Sequence, residues 1–362
     1  MSPIANAFPH VSDAYTYRGI EATILENEYL RILVLPGKGG DILEFRDKRT
    51  DVNVLWQANH NWQPPESRSV PSVGPTTWLD HYPGGWQLNL PVAGFTDDFA
   101  GTPYGVHGES ALIPWDHQIV RDDDDAVSIR LRTELVRYPL AIERTLTLPA
   151  EAPQLDIDET VTNLSERELE YIWQQHIALG SPLLDSDARL DIPAASGIVE
   201  PYGPAHANAR LEAGAEFDWP QAPTTDGGTA DLREIPGPDS EIHDVAFATD
   251  LESGWYALTN PTIDLGFAFT FPTDPFECVW YWQPFGGDVE TPYFGRNYTA
   301  GLEPTTAYPS TDVPDAQRAN ETIDTIGPGD TLEASFSAIT YDGLESVNEI
   351  RDGRVTGSRI VD

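Results

Sequence analysis

Strict alternation of apolar and polar residues is the feature that most constrains the fold of this chain. It runs through "AVSIRLRTELVRYPLAIERTLTLP" from Ala126, "QLDIDETVTN" from Gln154 and "DTLEASFSAITY" from Asp330. A two-residue period puts the apolar side chains of a strand on one face, so these segments predict half-buried antiparallel strands. Helix is scarce, and "PDAQRANETI" from Pro314 is the only candidate. The sequence therefore predicts an all-β protein built as a large antiparallel β-sandwich.

The domain organisation follows from length and from the placement of turn residues. The 362 residues would allow two domains, yet no low-complexity linker divides them, and the 31 prolines and 29 glycines fall mostly between apolar runs. Single β-domains often exceed about 200 residues. We therefore expect one domain over residues 1–362, with a concave sheet face available as a cleft.

The acidic composition sets the expected environment of the protein. Asp and Glu number 59 against 21 Lys and Arg, which gives a formal net charge of −38. Nucleic acids and anionic membranes require positive surface charge, so neither is expected as a partner. At molar salt the screening length falls to about 3 Å, and the self-repulsion of such a surface fades. The composition is similar to that of halophilic proteomes and favours a salt-rich cell interior.

Cysteine content and the first residues indicate the same compartment. Cys278 is the single cysteine, so no internal disulfide can form. The segment "MSPIANAFPH" has neither the basic region nor the apolar run of a signal peptide. We expect a soluble cytoplasmic protein, and the sequence leaves open its assembly as a homodimer.

Two strands carry candidate functional groups. In "EYIWQQHIAL", from Glu170, side-chain alternation puts Gln174 and His176 on the same face, where they suit a cleft for sugar hydroxyls. The alternative is a histidine satisfied by a backbone partner within the core. In "RNYTAGLEPTTAYP", from Arg296, Glu303 shares a face with Gly301, which leaves room beside the carboxylate, and Pro304 is expected to end the ladder. The alternative for Glu303 is a solvated surface group.

The block from Leu79 to Trp115 predicts a loop-rich pocket. It contains the segment "YGVHGES", with His107 between two glycines, and the aromatic residues Tyr82, Trp86, Tyr104 and Trp115. The side chains of Trp86 and Trp115 are candidates to stack on a pyranose ring. Simple packing of these rings beneath loops is the alternative.

The order of four motifs resembles that of a known family. "LPGKGGDILEFRDKRTDVNVLWQ", "GGWQLNLPVAG" with "YGVHGESALIPW", "ETVTNLSERELEYIWQQHIAL" and "GLEPTTAYP" follow one another as in the aldose 1-epimerases, the galactose mutarotase-like sugar-binding proteins. The likeness covers roughly residues 20–340 and is greatest to a less-studied branch with a GGWQ...HGE pattern. It implies a galactose mutarotase-like supersandwich, a small sugar as ligand and no cofactor or metal.

The resemblance also implies roles for individual residues. His107 matches the histidine that contacts the sugar near its ring oxygen, His176 matches the general acid, and Glu303 matches the general base. Better-known relatives have an arginine ahead of the first histidine, but "LDHYPGGWQ" has none, so His81 or Gln87 would replace its contact. Asp288 in "PFGGDVE" is the candidate for the family's sugar-binding aspartate.

Anomer interconversion gives an independent reason for such a set. One proton must leave the C1 hydroxyl and one must reach the ring oxygen. A carboxylate can accept the first and an imidazole can donate the second, and the two groups exchange roles when the ring closes. The expected activity is therefore that of a cytoplasmic aldose 1-epimerase. A non-catalytic carbohydrate-binding or regulatory protein is the alternative. An enzyme of sugar breakdown, such as a lyase or a hydrolase, is less favoured. A hydrolase would need two carboxylates about 5 to 9.5 Å apart, and only Glu303 has motif support.

Overall fold

The computed structural model describes residues 9–64, 77–96, 98–101, 104–201 and 208–359. Its strands in chain order are β1 (His10–Tyr17), β2 (Ile20–Glu26), β3 (Leu30–Leu35), β4 (Asp41–Asp47), β5 (Val52–Asn53), β6 (Trp86–Asn89), β7 (Asp116–Asp122), β8 (Ala126–Glu134), β9 (Leu140–Pro149), β10 (Gln154–Asn163), β11 (Leu169–Tyr171), β12 (Gln174–Gly180) and β13 (Arg189–Asp191). They continue with β14 (Ala194–Val199), β15 (Glu216–Asp218), β16 (Gln221–Pro223), β17 (Thr229–Asp231), β18 (Ile242–Leu251), β19 (Trp255–Asn260), β20 (Leu265–Thr270), β21 (Cys278–Phe285), β22 (Thr299–Thr305), β23 (Asp324–Ile326), β24 (Thr331–Tyr341), β25 (Leu344–Arg351) and β26 (Arg354–Arg359).

Helix is limited to short pieces in the described ranges. These are α1 (Thr77–Asp80), α2 (Asp315–Ala319) and 3₁₀ turns at Ser110–Leu112 and Pro238–Ser240. The helix predicted after Pro314 is therefore present as α2, whereas α1 was not predicted and overlaps the start of the block predicted as a loop-rich pocket. None of these helices has the length and apolar character needed to span a bilayer.

Two large antiparallel sheets form the sandwich. The first has twelve strands in the order β1-β2-β3-β4-β6-β12-β22-β21-β18-β14-β15, with β5 paired to β4. The second has eight, in the order β13-β19-β20-β24-β10-β9-β8-β7. Burial alternates at every residue of β9, as its sequence predicts, because one face meets the opposite sheet and the other meets solvent. The predicted all-β sandwich is thus confirmed.

The core lies between the two sheets. Aromatic side chains meet across it in edge-on pairs, Phe45 with Phe267 at 5.4 Å and Trp86 with Phe269 at 5.1 Å between ring centroids. Burial of such rings supplies most of the driving force for folding, and edge-on geometry adds to it.

A buried ion pair interrupts this apolar core. Arg144 of β9 and Glu159 of β10 are fully buried, with Arg144 Nε 2.8 Å from Glu159 Oε1. Glu159 Oε2 also accepts hydrogen bonds from Gln175 Nε2 at 2.7 Å and Trp173 Nε1 at 3.1 Å, both on or next to β12. Such partners are needed because each isolated charge would cost several kcal/mol to bury. The pair therefore joins the two sheets at the strand that carries His176.

The strand β22 corrects one expectation. Pro304 does not end the ladder, because Val279 pairs with Pro304 and Cys278 pairs with Thr305 one residue further on. Proline removes one donor from a strand but does not prevent the neighbouring residues from pairing. Glu303 consequently lies inside a central strand rather than at its end.

Candidate active site

Three adjacent strands at the middle of the twelve-stranded sheet bring the acid and base candidates together. Across β12 and β22, Gln174 pairs with Thr305 and Ala178 pairs with Gly301, and these two pairs bracket His176 and Glu303. Both side chains emerge on the face opposite to the sandwich core. His176 Nε2 lies 3.3 Å from Glu303 Oε1, and both side chains are only 3% exposed. Residues separated by more than a hundred positions in the sequence thus form one buried pair.

His107 reaches the same pair from a loop. Its ring centroid is 4.9 Å from that of His176. Its backbone has a φ of 63°, in the left-handed region that side chains other than glycine seldom occupy. Two bonds to Gly94 hold it there: His107 N–H donates to the Gly94 carbonyl, and the Gly94 N–H donates to His107 Nδ1, each at 3.1 Å. Because Nδ1 accepts, the neutral ring carries its proton on Nε2 and can donate from that atom.

The glycine and glutamate that follow His107 have packing roles. A side chain at Gly108 would meet the backbone carbonyl of Leu90 at 2.8 Å, so the glycine permits close approach to the end of β6 and not to a ligand. Glu109 accepts hydrogen bonds from the Tyr104 hydroxyl and the Arg137 N–H, both at 3.0 Å. The segment "YGVHGES" is therefore anchored on both sides of its histidine.

An amide orients the Glu303 carboxylate. Gln174 Nε2 donates to Glu303 Oε2 at 3.0 Å and to Thr305 Oγ1 at 3.2 Å. Its Oε1 accepts from Asn89 Nδ2 at 2.7 Å, which fixes which end of the amide faces the carboxylate. Gln174 therefore lies at the site as expected, although its polar atoms serve to position Glu303.

A buried relay fixes the indole beside the two histidines. Trp78 Nε1 donates to Gln87 Oε1 at 2.9 Å, and Gln87 Nε2 donates to Asp41 Oδ2 at 2.8 Å. The same oxygen is paired with Lys38, whose ammonium also donates to the Ala111 carbonyl. Burial raises the pKa of Asp41 and lowers that of Lys38, while their mutual attraction opposes both shifts. Both polar atoms of Gln87 are therefore engaged by these two neighbours.

Burial also controls the titration of the three central groups. It raises the pKa of Glu303 well above its ordinary value and lowers the pKa of His176 to about 3. Burial, followed by repulsion from His176, lowers the pKa of His107 well below its usual range. Desolvation disfavours the charged form of each group, so near neutral pH both imidazoles are uncharged.

Aromatic rings surround the histidines, and we call Trp56, Trp78, Tyr82, Trp282 and Tyr293 the aromatic cluster. Trp78 stacks on Tyr82 at 4.1 Å and meets the His107 ring edge-on at 4.5 Å. Trp282 lies 6.2 Å from His176, is partly exposed, and donates from Nε1 to His243 Nε2 at 3.1 Å. The cluster thus gives the polar pair apolar walls and one accessible aromatic face.

Four sequence candidates remain, namely Trp86, Trp115, His81 and Asp288. Trp86 faces the opposite way, is fully buried in the sandwich core and donates from Nε1 to Gln175 Oε1 at 2.9 Å. The expectation that Trp86 stacks on a sugar is wrong, because alternation puts it on the core face when Gln87 faces the site. Trp115 is likewise packed in the core. His81 Nδ1 bonds to the Gln63 carbonyl at 2.7 Å, and Asp288 lies near Tyr293, with a pKa that burial raises to about 6.

Several site residues were missed from the sequence. Alternation along β6 from Gln87 predicts Asn89 on the same face, and alternation along β21 puts Trp282 opposite Gly301. No local signal indicates Trp78 or Tyr293, whose neighbours come from distant segments of the chain. Lys38 and Asp41 are only three residues apart, but their contacts with Ala111 and Gln87 also depend on distant segments.

The chemistry available is proton transfer and hydrogen bonding. A carboxyl group and two imidazoles adjoin in a buried, aromatic environment, which strengthens each polar interaction. No group of three or more His, Cys, Asp or Glu side chains suited to a metal ion occurs in the described parts of the chain.

Solved structures of three bacterial proteins share this fold. A protein from Klebsiella pneumoniae, provisionally assigned as an aldose 1-epimerase, has a TM-score of 0.67 at 16% identity over 92% of this chain and 83% of its own. A galactose mutarotase-like protein from Clostridium acetobutylicum has a TM-score of 0.65 at 14% identity, over 92% and 99%. A galactose mutarotase related enzyme from Lactobacillus acidophilus has a TM-score of 0.60 at 16% identity, over 89% and 97%. The predicted galactose mutarotase-like fold is thereby confirmed.

Sequence comparison identifies the family. No curated protein matches the chain significantly. The model of a family described as "Domain of unknown function (DUF4432)" matches residues 17–338, which is most of the sequence. The chain therefore belongs to the DUF4432 family.

Proposed function

We propose that the protein is an aldose 1-epimerase that interconverts the α and β anomers of a free aldose. The observation that carries the proposal is the buried pair of His176 and Glu303, 3.3 Å apart, with His107 beside it. The reaction needs one proton donor and one proton acceptor that exchange roles, and such a pair provides both.

The pair would work with a single shared proton. Burial favours a protonated Glu303 and a neutral His176. Sugar hydroxyls that donate to the carboxylate favour its ionised form, which moves the proton to His176. Glu303 then accepts the C1 hydroxyl proton while His176 protonates the ring oxygen, and the C1–O5 bond breaks to give the open-chain aldehyde. After rotation about C1–C2, the reverse transfers close the ring on the other face and restore the pair.

The other residues have supporting roles in this proposal. His107 donates from Nε2 to a sugar oxygen next to the reacting centre, and Gln174 holds the Glu303 carboxylate in position. Trp282 takes the place expected for Trp86 and Trp115, because its partly exposed ring lies beside His176. Asp288 is proposed to accept from a sugar hydroxyl further along the cluster.

The test is anomer exchange by exchange NMR or decay of optical rotation, with D-galactose, D-glucose, D-xylose and L-arabinose in molar KCl. Glu303→Gln should lower the exchange rate at saturating sugar about 10²- to 10⁴-fold, because the amide keeps the shape but cannot accept the proton. Glu44→Gln is the matched control, since Glu44 is a carboxylate of the same sheet paired with Arg31 and Arg46. A folded Glu303→Gln protein with wild-type exchange would refute the proposal. Sugar binding without exchange in the wild type would favour a carbohydrate-binding protein.

A further inference from the structure

Two tyrosine hydroxyls in the aromatic cluster have no hydrogen-bond partner among the described residues. They belong to Tyr82 and Tyr293, which are 0% and 3% exposed. A buried hydroxyl without a partner destabilises the folded protein, because water has been removed and nothing replaces it. Such groups are explained when a ligand supplies the missing bond.

Tyr82 is held rigidly next to the proton-transfer pair. Its ring stacks on Trp78 and meets the His176 ring edge-on at 5.4 Å. Burial raises the pKa of Tyr82 well above its ordinary value, and the nearby Tyr293 and Glu303 raise it further. The hydroxyl therefore lies within electrostatic range of the Glu303 carboxylate and stays a neutral donor at working pH.

Tyr293 packs against two tryptophans of the same cluster. Its ring centroid lies 6.0 Å from that of Trp56 and 6.3 Å from that of Trp282. Burial and the adjacent Asp288 raise its pKa, so this hydroxyl is also a neutral donor. The cluster thus holds two neutral hydroxyl donors, one of them within electrostatic range of Glu303 and the other on a ring that contacts Trp282.

The polar groups expected to make such contacts are engaged elsewhere. Gln87 is bonded to Trp78 and Asp41, and the His81 imidazole is bonded to the Gln63 carbonyl. Neither can turn toward a ligand without breaking a buried hydrogen bond. The two tyrosines are therefore the better candidates for the contact that the sequence assigned to Gln87 or His81.

The charges of the cluster indicate the class of ligand. Glu303 and Asp288 are acidic, while Lys38, at the end of the relay that runs from Trp78 through Gln87, is already paired with Asp41. An anionic ligand would meet these two carboxyl groups, whereas the Arg296 guanidinium beside Tyr293 is engaged by the backbone carbonyls of Tyr293 and Pro292. Neutral hydroxyls, which both donate and accept, fit two tyrosine hydroxyls beside a carboxylate.

We propose that Tyr82 and Tyr293 form a hydroxyl-recognition subsite that binds a neutral aldose and excludes uronates and sugar phosphates. This inference rests on the proposed function, since it concerns the ligand of the same pair. The two tyrosines touch the substrate and fix its orientation, whereas Glu303 and His176 move the protons.

The experiment compares Tyr82→Phe and Tyr293→Phe with Tyr281→Phe, whose hydroxyl is equally buried and unpartnered but lies on the core face of β21. Dissociation constants for D-galactose, D-glucose and D-galacturonate are measured in molar KCl by titration calorimetry. Each cleft variant should weaken binding of the neutral sugar about 5- to 100-fold, because it leaves a sugar hydroxyl unsatisfied. Tyr281→Phe should bind as wild type. All three should melt no lower than wild type, because none loses a hydrogen bond.

Deoxy sugars sharpen the assignment. One deoxygalactose will lack the hydroxyl that Tyr82 contacts, and for that sugar Tyr82→Phe should cause no loss of affinity. If Tyr82→Phe lowers the affinity equally for every deoxy sugar, Tyr82 does not contact a sugar hydroxyl directly. Wild-type affinity in both cleft variants, or tighter binding of galacturonate than of galactose, would overturn the subsite while leaving anomer exchange intact. If the wild type binds the sugar without exchanging anomers, and Tyr82→Phe binds it more weakly, the proposed epimerase activity is refuted and the subsite is supported.

Discussion

Gly301 lies two residues before Glu303 on the same face of β22, and a methyl group on Gly301 would overlap the Glu303 carboxylate. The other neighbours of that methyl would be Cβ and Cε3 of Trp282, both at 3.1 Å. The end of a glutamate side chain moves more easily than a sheet backbone. A larger residue at position 301 therefore displaces the carboxylate and leaves the fold in place.

Gly301→Ala should consequently lower anomer exchange about 10- to 100-fold, since an error of about 1 Å in a reacting group has costs of this size. The melting temperature should change little. Gly237→Ala is the matched control, because its backbone is extended and its nearest neighbour, Ser186 Cβ, lies at 3.9 Å. Wild-type exchange in Gly301→Ala would show that the carboxylate position does not limit the reaction.

Trp282 offers the accessible aromatic face of the cluster. Trp282→Ala should therefore weaken aldose binding about fivefold or more, because a ring face covered by the sugar contributes about 1 kcal/mol. Trp282→Phe should retain part of the affinity, since the phenyl ring keeps an apolar face but loses the bond to His243. Dissociation constants from calorimetry check this order. Equal affinity in all three proteins would remove Trp282 from the sugar contact.

The pH dependence of stability should reflect the histidines and Glu303 in opposite senses. The folded-state pKa of His176 is about 3 and that of His107 is also lowered. Between about pH 6.5 and 3 the unfolded chain therefore binds more protons at these sites, and stability falls as pH falls, by up to about 1.4 kcal/mol per pH unit for each histidine. Glu303 has a raised pKa in the folded state, so its contribution to the free energy of unfolding falls as pH rises above about 4.3.

Denaturant unfolding from pH 7 to 5 separates the two effects. His176→Asn should make the loss of stability toward acid less steep, whereas Glu303→Gln should make it steeper. Parallel curves for wild type and both variants would mean that these groups titrate alike in the folded and unfolded chains.

The ion pair of Arg144 and Glu159 predicts an asymmetric mutational response. Arg144→Met leaves a buried carboxylate without its cation and should cost about 3 to 5 kcal/mol of unfolding free energy. The double change Arg144→Met with Glu159→Leu should cost less than the single change, because no uncompensated charge remains. A double variant less stable than the single one, by denaturant titration, would contradict this account.

Salt should stabilise the whole molecule. The formal charge of −38 repels itself in the folded state, and molar KCl reduces the screening length to about 3 Å. We expect the melting temperature to rise steadily from dilute to molar KCl. Equal midpoints throughout would remove the halophilic interpretation of the composition.

The sequence predicted the fold well because alternation in β9 and β10 survives in the burial pattern of the structure. It also placed Gln174 and His176 on one face, since a two-residue period needs only local information. It failed for Trp86, where the glycines before it indicated a loop although the strand alternation already begins there. Tyr293 and the relay through Asp41 could not be predicted, because their neighbours come from segments that only the closed sheet brings together.

The order of strands around the site has a consequence for folding kinetics. His176 and Glu303 lie on β12 and β22, which pair directly although more than a hundred residues separate them along the chain. Contacts of such long range form slowly, because the chain loses the entropy of closing a large loop before strand pairing stabilises the structure. An N-terminal fragment ending before β22 would contain His107 and His176 but not Glu303. During refolding, anomer exchange should therefore recover later than strand content measured by circular dichroism, and the lag would report when β22 enters the sheet.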